Sequence, residues 1–495
     1  MSYLLGIDLG TSSVKALIMS EVGKVLAVKS EEYDVQKPSS DFAEQSPELW
    51  WQKTASAIRK ALAASAISAD EIAGIGFSGQ MHGLVALDKE GKSVCPAIIW
   101  LDQRSVQEVR EVNEIAKDFI DTQLLNKPSA GMLLCSLLWL KKHKKDLYDK
   151  ISVVMLPKDY IRYRLTLEIG TEESDASATL AFSLKERRWC NEMIESLGLD
   201  TRLFPKVSKS IDTAGFVCES AAKETGLSTK TRVVFGAGDA ACQLIGNGIV
   251  KEGYVSCNIG TSAQIAVSLN SLVFDKNKQL QTWVHAIPEH YYMQGGALNG
   301  GFTLKWLKKQ ILGDERSYEE LCSDAENVAS GSEGLIFLPY LSGERTPVMD
   351  PFARGVFFGL SAKHTKAHII RATMEGVIHN LFECALIFER LGVKKEKIIA
   401  SGGAARGRLW KQIQADIFQM PVYTTKSEEQ AGLGSAILAG VGSGIFKSVE
   451  EACEIIVRDD TEAIFPIEKN FRVYSEHQQI FRRLYEQTKD LFERL

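Results

Sequence analysis

Gly6-Ile7-Asp8-Leu9-Gly10-Thr11-Ser12-Ser13 opens the chain between two apolar runs, and Asn258-Ile259-Gly260-Thr261-Ser262 repeats its punctuation at the start of the second half. Around the first copy, residues 4–9 and 14–19 alternate in character on either side of the turn, which predicts a β-hairpin. A second turn at Glu21-Val22-Gly23-Lys24 adds a third antiparallel strand over 25–28. Around the second copy, residues 253–267 predict another hairpin. An echo of this kind implies two halves of like fold, each opening with a strand, a Gly-Thr-Ser turn and a strand.

A chain of 495 residues, 45% hydrophobic and 24% charged, exceeds the ~250 residues that one core usually holds. Two domains are expected, over 1–245 and 246–495, with the boundary near 246–252. Ser46 before Pro47 predicts an N-cap with proline in the first turn, and a helix over 47–64. Residues 72–77 predict a short buried strand. Residues 233–238 and 398–403 each read as a strand, a glycine turn and a following helix. Ser427 with Gln430, and Ser448 with Glu451, predict capping boxes, the first for a helix through Ala439. The chain is α/β throughout.

A formal net charge of −5 gives no electrostatic case for nucleic acid or an anionic membrane surface as partner. The densest basic run, Lys141, Lys142, Lys144 and Lys145, follows Leu137-Leu138-Trp139-Leu140 and reads as the solvated end of a helix. Residues 1–17 carry Asp8 and several glycines in their apolar run, unlike a secretory leader. Residues 431–446 are Gly-rich and fall short of the ~20 apolar residues of a membrane span. Nine scattered cysteines without a CxxC pair read as reduced thiols of a cytoplasmic protein. His364 and His368 stand four apart with no third ligand beside them, and read as surface-helix residues rather than a metal site.

The motifs carry phosphate chemistry. Backbone N–H groups and hydroxyls at Thr11, Ser12, Gly260 and Thr261 suit anionic oxygens, and two facing turns would grip a nucleotide's phosphates from both sides. Either turn alone reads as a tight hairpin turn; two of them at matching places in a duplicated chain reverse that reading. Asp8 beside a triphosphate requires a divalent cation between them, for which Mg²⁺ is suited; a turn-capping aspartate is the other reading. Asp239, after the glycine turn of residues 236–238, can accept a hydroxyl proton as that oxygen attacks phosphorus, or it can simply cap a helix. Gly402-Gly403-Ala404-Ala405 suits a flat adenine or ribose, without GxGxxG spacing, and no GxxxxGK[ST] loop is present. Gln80-Met81-His82, between Gly79 and Gly83, concentrates hydrogen-bonding groups for a small polar ligand, or holds a structural histidine.

The runs GIDLGTSSVKALI (6–18), FSGQMHGLVALD (77–88), LPKDYIRYRLT (156–166), EESDASAT (172–179), GAGDAA (236–241) and FLPYLSGERTPVMDPFARGVFFGL (337–360) together resemble the FGGY family of carbohydrate kinases, nearly end to end. GQMHG resembles the loop of its xylulokinase branch. The resemblance implies two actin-like, ribonuclease H-like domains with the active site in the cleft between them, and ATP with Mg²⁺ as cofactors. It implies Asp239 as base, Asp8 and Asp239 toward Mg²⁺ partly through water, and Gln80, Met81 and His82 toward the sugar. Thr11, Ser12, Gly260 and Thr261 would meet the phosphates, and Gly301, Lys305, Gly403 and Ala404 would border the adenosine. The implied reaction is γ-phosphoryl transfer to D-xylulose. Ala240, Ser136, Leu101 and Gly407 depart from the usual pattern. Ribulose, L-xylulose, a polyol or gluconate therefore stay open as substrates, as does, more remotely, an actin-like ATPase without a metabolite. Assembly is open between monomer and homodimer.

Overall fold

In a computed structural model of residues 2–459 and 463–495, both hairpins form; Met1, the first residue of the opening segment, and residues 460–462 lie outside the description. Strand β1 (Tyr3–Leu9) pairs antiparallel with β2 (Ser13–Ser20), and β2 with β3 (Val25–Glu32). Helix α1 (Pro47–Ser65) follows, with the Leu49 N–H donating to the Ser46 hydroxyl at 3.3 Å, so the N-cap lies where the sequence put it. Strand β4 (Ile72–Gly79) then lies parallel to β1, and β5 (Arg232–Val234) and β6 (Ala237–Gly238) lie parallel to β4. Helix α2 (Asp239–Gly246) leaves this sheet toward the second half.

The second sheet repeats the plan. Strands β7 (Gly253–Ile259) and β8 (Ala263–Leu269) form the second hairpin, followed by the edge strand β9 (Gln281–Val284) and by β10 (Tyr291–Ala297), which pairs with both β8 and β9. After the long helix α3 (Lys366–Arg390), β11 (Lys395–Ser401) lies parallel to β7, and β12 (Val422–Thr424) parallel to β11. Read from the meander inward, the orders β3-β2-β1-β4-β5 and β10-β8-β7-β11-β12 are the same. This is the duplicated ribonuclease H-like, actin-like arrangement, with β9 and the strand Thr213–Phe216 added as edges.

The second half also lends the first a helix. Helix α4 (Gln430–Gly442) lies on β1 and β4 and against α2, close enough that main chain meets main chain. A Cβ at Gly76 would stand 2.0 Å from the Ser435 carbonyl oxygen, and one at Gly434 2.0 Å from that of Cys242. These glycines are therefore spacers. The core follows: Leu4 and Leu17 of the first sheet pack with Ile245, Leu433 and Ile437 in one buried cluster.

Three local expectations change. Ser427 and Gln430 do not cap α4 as a box: the Gln430 amide donates to the Ser427 carbonyl at 2.7 Å, and Glu429 takes the N-cap position. At the helix Val449–Ile456, the Glu451 N–H reaches the Ser448 hydroxyl at 3.2 Å, but the Glu451 carboxylate turns to the Lys447 N–H, so half a box forms. His368 accepts from the Thr365 N–H at 3.1 Å at the start of α3, while His364 sits in the turn before that helix. Among the described residues no helix is long and apolar enough to cross a membrane.

Gly76→Ala and Gly434→Ala should each lower the unfolding free energy by ~1–3 kcal/mol in urea titrations, the usual cost of overpacking. Gly296→Ala, with nothing within 4 Å of its added methyl, should stay within ~0.5 kcal/mol. Equal effects at all three positions would show that α4 does not press on the first sheet and α2.

Candidate active site

Strand register brings the first set of residues to one edge. Asp8 and Ala237 both pair with Ser78 of β4, and Leu9 and Gly238 both pair with Gly79. The turn at Gly10, the Gln80-Met81-His82 loop and Asp239 thus leave three parallel strands side by side at their carboxyl ends, where α/β sheets bind ligands. The Ser78 hydroxyl donates to Asp8 Oδ1 at 2.7 Å. Neither Gly10 nor Gly260 adopts a positive φ. What glycine provides at these turns is the absence of a side chain over the backbone. The two turns differ in length, spanning residues 10–13 between the paired Leu9 and Val14 but only 260–262 between the paired Ile259 and Ala263.

The first turn is held from behind. The Tyr33 hydroxyl donates to the Gly10 carbonyl at 2.6 Å, the Gln45 amide to the Thr11 carbonyl at 2.7 Å, and the Trp100 indole N–H to the Thr11 hydroxyl at 3.0 Å. Gln80 belongs to this scaffold. It is buried, and its amide donates to Gln45 Oε1 at 2.9 Å; Met81 is buried too, packed close to Gly238, and His82 is half-buried.

Asp239 is the first residue of α2, and its Oδ1 accepts the Ala240 N–H at 2.7 Å. Burial, and then the nearby Asp8 carboxylate, push its pKa up to about 7. Burial also raises Asp8, against the opposing hydrogen bond from Ser78 and the charge of Lys15. Among the described residues neither carboxylate has a cationic side chain within ion-pair distance. The pair therefore offers a proton acceptor that titrates near neutrality and an uncompensated negative charge suited to a dication.

Beneath both loops lies a buried charge network. Lys158 Nζ stands 2.8 Å from Asp159, 3.3 Å from Glu172 and 3.3 Å from Asp175, all without solvent exposure. The Ser174 hydroxyl donates to Glu172 at 2.9 Å and accepts the Gly238 N–H at 3.2 Å, while Lys158 packs on Gly79 so closely that a Cβ there would fall 2.7 Å away. One network thus sets the turn carrying Asp239 and the loop carrying His82.

His82 has φ of +73°, unusual for a residue with a side chain. Its Nδ1 lies 2.7 Å from the Ala178 carbonyl, which can only accept, so Nδ1 carries the proton. Burial lowers the ring's pKa, and Nε2 remains as an acceptor. The ring lies 5.7 Å from that of Trp283, a residue of the second half. The Met81 Sδ lies 3.7 Å from the Tyr292 hydroxyl, also of the second half.

On the second sheet, Gly260, Thr261 and Ser262 are exposed. The Gly301 N–H donates to the Gly260 carbonyl at 2.7 Å and that of Gly300 to the Thr261 carbonyl at 3.1 Å. Gly402, with φ of +78°, presses on the carbonyl of Ile259, and around Gly403 an added Cβ would meet nothing within 4 Å. Ala404 follows at the start of the same turn, and Lys305 lies one turn into the helix Gly301–Trp306, exposed. Gly260, Thr261, Gly301, Gly403 and Ala404 are therefore neighbours. Lys15, opposite Asp8 in the first hairpin, pairs with Glu429 just before α4 at 2.6 Å and bridges the halves.

Two family models match this chain, the N-terminal domain of the FGGY family of carbohydrate kinases over residues 3–246 and its C-terminal domain over 255–443. The chain belongs to the FGGY family of carbohydrate kinases. It is 36% identical to a xylulose kinase of Bacillus subtilis over 99% of this chain and 98% of that one. The crystal structure of a ligand-bound xylulose kinase from Lactobacillus acidophilus superposes with a TM-score of 0.93 at 26% identity, covering both chains in full. That of a gluconate kinase from the same organism gives 0.92 at 26% identity over 98% of each. The fold thus settles the family and not the sugar. As a member, this kinase uses ATP as phosphate donor.

Sequence reading of this FGGY kinase missed the scaffold residues Tyr33, Gln45 and Ser174, and Trp283. Their only signal was membership in resembling runs or none at all, because each acts through a contact distant in sequence. In EDTA, Asp239→Asn should raise the unfolding free energy at pH 8 by roughly 2–4 kcal/mol and hardly at all at pH 4. The parent's folded-state pKa lies above the unfolded one, so its stability falls as pH rises through that window. The same increment at both pH values would show an ordinary aspartate.

Proposed function

We propose that this FGGY kinase transfers the γ-phosphoryl group of ATP to the terminal hydroxyl of D-xylulose, giving D-xylulose 5-phosphate. The observation that carries the reading is the meeting, at one sheet edge, of a carboxyl poised near neutrality with a phosphate-type turn and the Met81-His82 loop. Likeness to a xylulose kinase along the full chain supports the choice of ketose. Ser136 is fully buried, and Ala240 stands beside the base.

In the proposed reaction, residues 1–245 supply the sugar side and the base, and residues 246–495 the nucleotide side. Met81 and His82 hold the ketose, with His82 Nε2 accepting from a sugar hydroxyl. Asp239 takes the proton of the terminal hydroxyl as that oxygen bonds to the γ-phosphorus, the bond to the β–γ bridging oxygen breaks, and ADP leaves. Thr11, Ser12, Gly260 and Thr261 line the phosphates, and Gly301, Lys305, Gly403 and Ala404 border the adenosine. Mg²⁺ fits the unpaired Asp8–Asp239 carboxylates, partly through water, and when bound it would neutralise charge on the phosphates. Expelling water between the lobes keeps the phosphoryl group from hydrolysis. Nine cysteines, none of them bridged, suit the cytoplasm as the site of this reaction.

A coupled ADP-release screen over pentuloses, hexuloses, polyols and aldonates tests the substrate. D-xylulose should give the highest kcat/KM; a higher value for gluconate or ribulose would reassign the sugar, and sugar-independent ADP release would favour an actin-like ATPase. Asp239→Asn should lose ~10²–10⁴-fold in kcat, the usual worth of a general base, with the Kd for ATP within ~3-fold. Retained turnover would remove Asp239 from that role.

A further inference from the structure

The His82 side chain is held from two directions, and one of them belongs to the other half of the molecule. Trp283 is fully buried, its ring lies 5.7 Å from that of His82 at an interplanar angle of 60°, and its indole N–H has no hydrogen-bond partner. What presses it there is packing rather than polarity. Trp283 sits in the edge strand β9, which has a neighbouring strand on one side only. An open edge of this kind normally leaves main-chain groups unpaired. Here residues of the first half fill it. The Asn126 amide donates to the Thr282 carbonyl at 2.6 Å, and its Oδ1 accepts the Thr282 N–H at 3.0 Å. One side-chain amide thus does the work of a strand residue. Two positions on, where strand alternation brings main chain to the same edge, the Val284 N–H donates to the Ser177 hydroxyl at 3.2 Å. The residue after Ser177 is Ala178, whose carbonyl bonds His82.

From this we infer that Trp283 is a positioning residue for sugar recognition: clasped to the first half by Asn126 and Ser177, the second half's edge strand holds the His82 ring in its left-handed backbone conformation. The inference rests on the reading of His82 as a sugar contact. A non-glycine residue at φ of +73° carries a conformational cost that surrounding contacts must hold. The Ala178 carbonyl supplies one such contact and Trp283 the other. The sugar loop therefore takes its binding shape only when β9 is seated. That couples ketose affinity to the approach of the halves at a point far in sequence from α4, and leaves the nucleotide turns, built on β7 and β11, outside the coupling.

The test is steady-state kinetics of the full-length enzyme, varying D-xylulose and ATP separately, for Trp283→Ala, Trp283→Phe, Asn126→Ala and the double variant Trp283→Ala/Asn126→Ala. Trp283→Ala should raise KM for the ketose by ~10-fold or more with KM for ATP within ~2-fold, the pattern of a lost binding determinant. Trp283→Phe should stay close to the parent, because the ring is kept and the indole N–H makes no bond. Asn126→Ala should move the ketose KM in the same direction by less. The double variant should be no worse than Trp283→Ala alone, since both act through one contact. Equal changes in both KM values, or none in either, would overturn the inference while sugar-dependent turnover persists. Should Trp283→Ala fail to fold, the ketose-to-ATP split of Asn126→Ala decides the matter alone. Absence of sugar-dependent turnover in the parent would instead strike the function proposed above.

Discussion

Lys158 is the constraint on which the site's geometry depends. A fully buried ammonium is stable only where carboxylates surround it, and Asp159, Glu172 and Asp175 do so with no access to water. Because Glu172 is bound to Lys158, the segment that follows it cannot drift. Ser174 bonds the turn before Asp239, Ser177 bonds the second half's edge strand, and Ala178 bonds His82. Three separate parts of the reaction site are thus referenced to one short stretch of chain. Burial pushes the Asp175 carboxyl above its ordinary range, and the Lys158 ammonium opposes that shift.

The doubled fold was legible because its evidence is local. Alternation around Gly10 and Gly260 gave two hairpins, and the order of strands in the two sheets follows from repeating one plan. Caps were legible where the partner lies three residues away, as at Ser46. They were misread where the chain bends first, as at Ser427, whose partner Gln430 uses its amide on the turn itself. Glycine turned out to act mainly by distance. Gly76, Gly79 and Gly434 are places where another piece of backbone or a Lys158 methylene passes too close for a methyl group, and nothing in a linear sequence says what will pass.

In the site, Asp8, Asp239, His82 and the two turns could be singled out because their chemistry is conspicuous beside glycine. Gln80 was singled out for the same reason, yet its amide supports Gln45 and the first turn. A polar side chain in a loop looks the same from sequence whether it faces a ligand or braces the loop. Trp283 presents the opposite difficulty: an indole in an apolar strand reads as core, and it is core. Its relevance comes from the half of the molecule that it packs against.

Helix α4 has a consequence for how the polypeptide is made. The surface of β1 and β4 that it covers belongs to residues synthesised first, whereas the helix itself spans Gln430–Gly442. During translation Leu4 and Leu17 lack their partners Leu433 and Ile437 until residues 430–442 have left the ribosome. A nascent chain of this design keeps an apolar sheet face uncovered for most of its synthesis, the period in which chaperones act.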